Sequence, residues 1–252
     1  MNIAIITGGS NGIGRSTARE LGKCGIGVIL TYHKNKDRAD EVVQEIEKSN
    51  KGIRAVALKL DLSQRETFEN FVAEVKKSLQ EVWGRSTFDY LVNNGGVGGS
   101  CMIDAMTEEY FDTIMNTNFR GPVFLTKSLL SLIEDGGAIV NTTSSSKSQS
   151  FPGYSVYGSL KAALSVWTRY VAKELAPRRI RVNAVSPGPT HTNFGDGVMD
   201  EHPEFLKPLA EQTAFGRIGT PDDLGKVIVN LLSDDFGWMT AQDLEVSGGH
   251  LL

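Results

Sequence analysis

The sequence predicts an α/β fold, a parallel, doubly wound seven-stranded sheet with helices on both faces. Three observations predict it. Short segments rich in Val, Ile and Leu recur along the 252 residues, and such continuous apolar segments are typical of strands that a parallel sheet buries on both faces. Amphipathic stretches with helical periodicity lie between these segments. The two patterns alternate along the whole chain, which favours strand–helix–strand units over separate all-α and all-β parts.

The strands are predicted where β-branched and large apolar residues cluster between turn residues. In chain order they are NIAII (2–6), GVILTY (27–32), IRAVALKL (53–60), FDYLVNN (88–94), GAIVNTT (137–143), IRVNAVS (180–186) and DLEVS (243–247). Each segment is shorter than the roughly ten residues that a buried helix needs, so a strand is the better interpretation.

The helices are predicted where apolar residues recur every three or four positions. They span Ile13–Lys23, Lys36–Ser49, Arg65–Val82, Glu108–Ile133, Tyr154–Leu175 and Asp222–Leu232. One long irregular segment interrupts the alternation, and its mix of Gly, Pro, polar and large apolar residues predicts a substrate lid at about 188–220. With no repeat or linker in the sequence, we expect residues 1–252 to form a single domain.

Composition and charge exclude several classes of function. The chain is 40% hydrophobic and 22% charged, with a net charge of −4 and a pI near 5.6, which argues against binding to nucleic acid or to an anionic membrane. No apolar segment approaches a transmembrane span, and the first strand leaves no room for a signal peptide, so we expect a cytoplasmic protein. Cys24 and Cys101 are isolated and expected to be reduced. The four histidines lack the spacing of zinc ligands, so we predict no metal.

A glycine-rich turn, Thr7–Gly14, follows the first strand and opens the first helix. Gly8 allows a tight turn, Gly12 lets the backbone approach a pyrophosphate, and Gly14 permits close packing of helix on strand. The helix N-terminus adds N–H donors and positive potential. A plain glycine-rich turn is the competing interpretation, but the strand–turn–helix context favours a Rossmann-type dinucleotide site. The expected cofactor contacts in this turn are Gly8, Ser10, Asn11, Gly12, Ile13 and Gly14.

Tyr157 and Lys161 lie four residues apart in YGSLK, and Ser144 lies thirteen positions upstream of the tyrosine. On a helix, this spacing places the phenol and the ammonium on one face. A positive charge about 5 Å from a phenol, at an effective dielectric of roughly 20, lowers the pKa of the phenol by about two units. Tyr157 would then suit general acid–base catalysis, with Ser144 hydrogen-bonded to the substrate oxygen. A packed aromatic residue beside a solvated lysine is the competing interpretation of this pair.

Six motifs together closely resemble the short-chain dehydrogenase/reductase family, from Thr7 to Gly249. They are GxxxGxG in the glycine turn, NNGG at Asn93–Gly96, Asn118 in NTNFRG, Ser144, YxxxK at Tyr157–Lys161 and PG at Pro187–Gly188. Three positions depart from the usual pattern, with NNGG for NNAG, VSGG for VDGG, and Thr190 where Val or Ile is common.

The resemblance implies a role for each matching residue. Tyr157 corresponds to the catalytic acid/base, Lys161 to its electrostatic partner that also binds the nicotinamide ribose, and Ser144 to the group that orients the carbonyl. Ser145 or Ser146 is an alternative to Ser144. Asn118 corresponds to an asparagine that kinks a helix and holds a water. Asn93 matches a residue that shapes the adenosine side of the cleft, and Asp61 matches an adenine contact. The remaining implied cofactor contacts are Leu62, Gly95, Pro187, Gly188, Thr190 and Thr192.

Each of these roles has a structural alternative. Asn118 is otherwise a surface residue of a helix, Asp61 is otherwise an N-cap, and Thr192 is otherwise a lid residue that faces water.

The end of the second strand predicts NADP(H) rather than NAD(H). NAD sites usually end this strand with an acidic residue that binds the ribose 2′-hydroxyl, whereas here Tyr32, His33 and Lys34 precede any carboxylate. His33 and Lys34 are expected to pair with the additional phosphate. A basic, solvated loop is the competing interpretation, and use of NAD(H) stays possible.

The predicted reaction is the reversible NADP(H)-dependent reduction of a ketone to a secondary alcohol, as in an alcohol dehydrogenase or carbonyl reductase. The expected partner is therefore a small-molecule ketone or alcohol. The predicted pocket walls are mostly apolar and comprise Gly96–Ser100, Gln149–Tyr154, Phe194, Met199 and Phe205. The chain also resembles the family's 3-oxoacyl-carrier-protein reductases and glucose-dehydrogenase-like members. A dehydratase or epimerase, and a non-catalytic NADP-binding scaffold or sensor, are the other classes. The family's assembly implies a homotetramer, with a dimer as second choice.

Overall fold

A computed structural model describes residues 1–192, 204 and 206–252. Seven parallel strands form one sheet in the order β3-β2-β1-β4-β5-β6-β7. Their bounds are β1 Ile3–Ile6, β2 Gly27–Tyr32, β3 Ala55–Lys59, β4 Phe88–Asn93, β5 Ile133–Thr142, β6 Arg181–Pro187 and β7 Asp243–Val246. The chain begins at β1, winds outward to β3, and then returns to β4 beside β1. The carboxyl ends of β1 and β4 therefore define the topological switch point, where sheets of this kind bind ligands.

Helices cover both faces of the sheet. They are α1 Gly12–Lys23, α2 Lys36–Ser49, α3 Phe68–Trp83, α4 Glu108–Met115, α5 Gly121–Leu129, α6 Ser155–Leu175, α7 Leu206–Glu211 and α8 Pro221–Leu232. Helices α1, α2 and α8 bury Leu21, Val42 and Ile228 against one face. Helices α3, α5 and α6 bury Phe71 and Leu125, among others, against the other. The sequence-predicted fold, a doubly wound parallel sheet, is confirmed. No helix in the described ranges is long and apolar enough to cross a membrane.

The single helix predicted over 108–133 is wrong, because the structure divides it. Helix α4 ends at Met115, one turn of π-helix spans Asn116–Arg120, and α5 continues from Gly121. Pro122 has no N–H to donate to the carbonyl one turn earlier, so the helical hydrogen-bond pattern changes here. A 3₁₀ turn follows α5, and β5 begins at Ile133 instead of at 137. The register of β5 on β4 shifts between Phe88 and Tyr90, which accommodates the extra residues.

Candidate active site

The glycine turn lies at the carboxyl end of β1 and has the backbone that its sequence predicts. Gly8 and Gly12 adopt left-handed φ values of +66° and +51°, which favour glycine. A Cβ on Gly14 would lie 2.1 Å from the carbonyl oxygen of Gly8, so α1 approaches β1 as closely as a glycine allows. Asn11 caps α1 by accepting a hydrogen bond from the N–H of Gly12 at 2.9 Å. Ser10 and Ile13 are half-buried beside these residues. The turn therefore forms a cradle that a dinucleotide pyrophosphate fits.

Asn94, which the sequence analysis did not single out, holds this turn against β4. Its backbone N–H donates to Thr7 Oγ1 at 3.0 Å, and its Nδ2 donates to the carbonyl of Thr7 at 3.1 Å. The neighbouring Gly95 N–H donates to the same threonine hydroxyl at 2.8 Å. Gly95 also packs against Leu62, which lies 2.8 Å from where a Cβ would stand.

Asn93, which is expected to shape the adenosine side of the cleft, has a buried side chain at the end of β4. Its side chain is 2% exposed, and its Nδ2 donates to Asn141 Oδ1 at 2.9 Å and to Thr126 Oγ1 at 3.0 Å inside the core. Successive residues of a strand point to opposite faces of the sheet, and the contact with Thr126 shows that Asn93 points to the face covered by α5. Any influence on the cleft therefore acts through the core packing of β4 and β5.

His33 and Asp61 lie next to each other at the predicted adenosine end of the cleft. His33 Nε2 lies 3.2 Å from Asp61 Oδ2 across the adjacent ends of β2 and β3. Burial alone would raise the pKa of Asp61, but hydrogen bonds from Ser63 and the nearby His33 lower it below its ordinary value. The N-cap alternative is wrong, because the helical turn that follows begins at Arg65 and has Gln64 as its N-cap; Asp61 instead accepts from the backbone N–H of Ser63 at 2.9 Å, before that turn begins. Tyr32 is half-buried at the strand end and Lys34 is exposed.

The segment after β6 packs against β7 and reaches the glycine turn at Thr192. Gly188 approaches Ser247 so closely that a Cβ would lie 2.6 Å from the serine Cβ. Thr190 is 8% exposed and donates its hydroxyl to the carbonyl of Gly188 at 2.9 Å. Thr192 lies against the turn, with its Cβ 3.4 Å from a Cβ built on Gly12. Thr192 therefore brings this segment against the predicted pyrophosphate position at Gly12, the first residue of α1.

Tyr157 and Lys161 lie one turn apart on α6 and are both buried, 7% and 4% exposed. Lys161 Nζ lies 5.6 Å from the centroid of the Tyr157 ring and donates to the carbonyl of Thr142 at 2.8 Å. Burial lowers the pKa of Lys161 to about 8, although the carboxylate of Asp243 opposes the shift. The ammonium form therefore still predominates at neutral pH.

The predicted lowering of the pKa of Tyr157 is wrong for this structure. Burial raises the pKa of the phenol well above its ordinary value, and a hydrogen bond with Ser144 offsets only part of that rise. The spacing of Tyr157 and Lys161 in the sequence shows the nearby ammonium, whereas the cost of burying a phenolate depends on the folded structure. This hydrogen bond also separates Ser144 from the other two serines. Ser145 is buried at 4% exposure, and Ser146 donates its backbone N–H to Ser144 Oγ at 3.2 Å.

Asn118 lies in the π turn and is 1% exposed, which excludes the surface-helix alternative. Its Nδ2 donates to the carbonyls of Val97 and Ile114, both at 3.0 Å, and its Oδ1 accepts from the N–H of Val97 at 3.2 Å. A Cβ on Gly96 would lie 2.6 Å from Asn118 Oδ1 and 3.9 Å from Lys161 Nζ. The asparagine and the lysine therefore flank the same glycine.

Two predicted pocket walls, 96–100 and 149–154, contact each other, since Gly153 lies against Ser100. The N–H of Cys101 donates to the carbonyl of Gly153 at 2.8 Å, and the hydroxyl of Tyr110 donates to the carbonyl of Gly99 at 3.1 Å. The Tyr154 ring lies between those of Phe151 and Tyr157, with centroid distances of 6.5 Å and 6.1 Å. Three predicted wall residues lie outside the described residues: Phe194, Met199 and Phe205.

The doubly wound sheet, with its glycine turn and its buried tyrosine–lysine pair, has the architecture of an oxidoreductase of the short-chain type. Residues 8–250 match the family model described as enoyl-(acyl carrier protein) reductase, which is of this type. The chain therefore belongs to the short-chain dehydrogenase/reductase family, and the resemblance noted from the sequence motifs is confirmed. Among the described residues, no group of His, Cys, Asp or Glu side chains could hold a metal ion.

The similar proteins include several ketoreductases. Tetrahydroxynaphthalene reductase PfmaG of Pestalotiopsis fici is 33% identical over 98% of this chain and 90% of its own length. A second similar protein is LugOII, a promiscuous reductase that catalyses keto-reduction at C1 during lugdunomycin biosynthesis. Its structure has a TM-score of 0.94 at 34% identity, and the match covers 100% of this chain and 98% of that chain.

The angucycline C-6 ketoreductase LanV with bound NADP has a TM-score of 0.93 at 34% identity, over 99% of this chain and 95% of that chain. A further structure of LanV holds both NADP and rabelomycin. This chain is accordingly an oxidoreductase whose relatives include ketoreductases.

Proposed function

We propose that this protein is an NADPH-dependent ketoreductase that uses Tyr157 as its general acid. The observation that carries the proposal is the buried Tyr157–Lys161 pair beside Ser144, at the same edge of the sheet as the glycine turn. When bound, NADPH supplies a hydride to the carbonyl carbon. The residues of this chain then have to bind the carbonyl, exclude water and deliver one proton to its oxygen.

The four polar residues divide this work by position. The Tyr157 hydroxyl donates its proton to the carbonyl oxygen, and Ser144 Oγ hydrogen-bonds the same oxygen as it gains charge. Burial keeps the phenol protonated at neutral pH but makes it a weak acid, so proton donation depends on stabilisation of the phenolate that it leaves. Lys161 stabilises the phenolate that remains, and Asn118 fixes the loop at Gly96 through its contacts with Val97. Asn118 is also proposed to hold a water that returns the proton.

NADP(H) is the proposed cofactor, since the NADP-bound structures of LanV support it and β2 ends without a carboxylate. Asp61, beside His33, leaves Lys34 as the more available cation for the 2′-phosphate. Replacing Tyr32 with Asp should therefore lower kcat/KM for NADPH far more than that for NADH. If the ratio of kcat/KM for NADPH to that for NADH is unchanged in Tyr32→Asp, this assignment is wrong. The control variant is Lys36→Met, which replaces an exposed lysine that is paired with Asp40 on α2.

The proposed substrate is a ketone on a polycyclic aromatic ring system. Hydroxynaphthalene and angucycline ketoreductases are among the relatives. Phe151 and Tyr154 form a row of rings that leads to Tyr157, and flat aromatic ligands stack or pack edge-on against such rings.

The test is a panel of ketones with NADPH, with consumption of the reduced cofactor as the readout. Tetralones are the aromatic probes, cyclohexanone is the aliphatic control, and a 3-oxoacyl thioester tests the carrier-protein alternative. Glucose with NADP⁺ tests the sugar alternative. We expect the highest kcat/KM with tetralones. We expect no measurable turnover of them by Tyr157→Phe in this assay. Preference for the thioester or the sugar would refute the substrate class, and NADPH binding without turnover of any probe would favour a sensor or scaffold. The homotetramer, the lid at 188–220 and the cytoplasmic location stay predictions.

A further inference from the structure

A partly buried ion pair lies beneath the Ser144 turn and takes no part in the chemistry proposed above. Lys147 Nζ lies 2.8 Å from Asp243 Oδ2, and the two side chains are 17% and 12% exposed. Ion pairs withdrawn from water contribute little net stability, because desolvation offsets their attraction. Their presence beside a reactive group therefore points to a role other than folding.

The carboxylate of Asp243 holds both sides of the Ser144 turn. The hydroxyl of Thr143, the residue before Ser144, lies 3.0 Å from Asp243 Oδ1 and 3.0 Å from the carbonyl oxygen of Val185, so its one proton is shared between these two acceptors. Lys147 ends the 3₁₀ turn that follows, Ser145–Lys147. One side chain on β7 thus fixes the chain on either side of the serine that hydrogen-bonds Tyr157. Ser186 Oγ, 3.0 Å from Thr143 Oγ1, completes the buried cluster.

We propose that Asp243 is a positioning residue of the active site, which fixes the Ser144 turn through Thr143 and Lys147 and sets the charge balance around Lys161. The role rests on the proposed function, since Ser144 and Lys161 act in it.

The electrostatic half of the role has support from the surroundings of Lys161. Burial lowers the pKa of that ammonium, and the Asp243 carboxylate raises it. Lys161 and Asp243 are connected through two adjacent residues, because Lys161 donates to the carbonyl of Thr142 and Thr142 precedes Thr143. The other titratable group beside Lys161 is Tyr157 on its own helix, and Lys147 is the cation that faces Asp243. Glu245, two residues further along β7, is exposed.

Variants with opposite changes in charge separate this role from simple loosening of the structure. Asp243→Asn removes a negative charge and keeps an oxygen acceptor, so the pKa of Lys161 should fall by about one unit. Lys147→Met removes a positive charge, so the same pKa should rise. Glu245→Gln removes the same negative charge from the same strand, but at a residue outside the ion pair. This control variant should leave the pKa of Lys161 unchanged.

The first readout does not need turnover. The pKa of Lys161 is measured by NMR titration of its ε-methylene group in protein with ¹³C-labelled lysine. The Lys161 signal is assigned by its loss in Lys161→Met. Shifts of opposite sign in the two variants support the proposal. Shifts of the same sign, or none beyond that of Glu245→Gln, overturn it. A titration that succeeds in protein that reduces no ketone would refute the proposed function alone.

The positioning half is tested by kcat with the best ketone. Asp243→Asn still accepts hydrogen bonds from Thr143 and Lys147, whereas Asp243→Leu cannot. We expect kcat at the pH optimum to fall at least about tenfold more in the leucine variant, with the KM for NADPH unchanged. Equal kcat in the two variants, at equal melting temperature, would overturn this half. If Asp243→Leu does not fold, Thr143→Val, which removes one of the two hydrogen bonds, gives the same comparison.

Discussion

Replacement of Lys161 with Met tests the electrostatic role of the lysine. The ammonium nitrogen lies 5.6 Å from the centroid of the Tyr157 ring. At an effective dielectric of about 20, a unit charge at that distance stabilises the phenolate by about 3 kcal/mol. Both groups are buried, so screening by solvent is weak. The loss corresponds to about two pKa units, and to about a 100-fold fall in the rate of the chemical step.

The assay is kcat/KM for the ketone at saturating NADPH, which removes the effect of weaker cofactor binding. In the unmodified protein, Lys161 loses its charge as pH rises through about 8. We therefore expect kcat/KM to fall above this pH, and the fall to vanish in Lys161→Met. Lys173→Met, an exposed lysine on the same helix, is the matched control and should retain full activity. If Lys161→Met keeps more than about a third of the activity of the unmodified protein, the electrostatic reasoning is wrong.

Three other changes test the parts that hold the site. Gly14→Ala places a Cβ 2.1 Å from the backbone oxygen of Gly8. We expect the free energy of unfolding to fall by about 1–3 kcal/mol and NADPH to bind more weakly in a titration. Unchanged binding would contradict the close packing of Gly14 on the glycine turn. Asn118→Ala removes three hydrogen bonds to the backbone of Val97 and Ile114, so urea unfolding should show a loss of about 2 kcal/mol in unfolding free energy. A loss below about 0.5 kcal/mol would argue that Asn118 does not hold this loop in place. Burial lowers the pKa of His250, so the unfolded chain takes up a proton near pH 6.5 before the folded one does, and stability should fall as pH drops below that value. His250→Phe should reduce that fall, and an identical decline would exclude the histidine as its source.

The sequence could predict whatever depends on local pattern. The alternation of strands and helices, the left-handed glycines at 8 and 12, and the one-turn separation of Tyr157 and Lys161 all follow from residues close together in the chain. Even the division of the predicted helix at 108–133 has a local signal, because Pro122 removes one backbone donor.

What the sequence could not predict depends on contacts between distant segments. The pairing of β2 with β3 brings His33 to Asp61, so the expected basic patch contains a carboxylate. Burial, which sets the sign of the pKa shift of Tyr157, is a property of the packed fold. Thr143 and Asp243 are 100 residues apart in the chain, and neither has a recognisable motif. Asn93 and Asn94 differ only in the direction of their side chains, which a motif match does not resolve.

The most direct test of ketoreduction by this site follows the hydride itself. NADPH that carries deuterium at both C4 positions of the nicotinamide is incubated with the preferred ketone, and the alcohol is analysed by mass spectrometry and NMR. We predict one deuterium on the carbinol carbon per turnover with the unmodified protein. Tyr157→Phe should still bind NADPH yet lose product by a factor of about a thousand or more. Alcohol without deuterium, or undiminished product from Tyr157→Phe, would contradict hydride transfer assisted by this tyrosine.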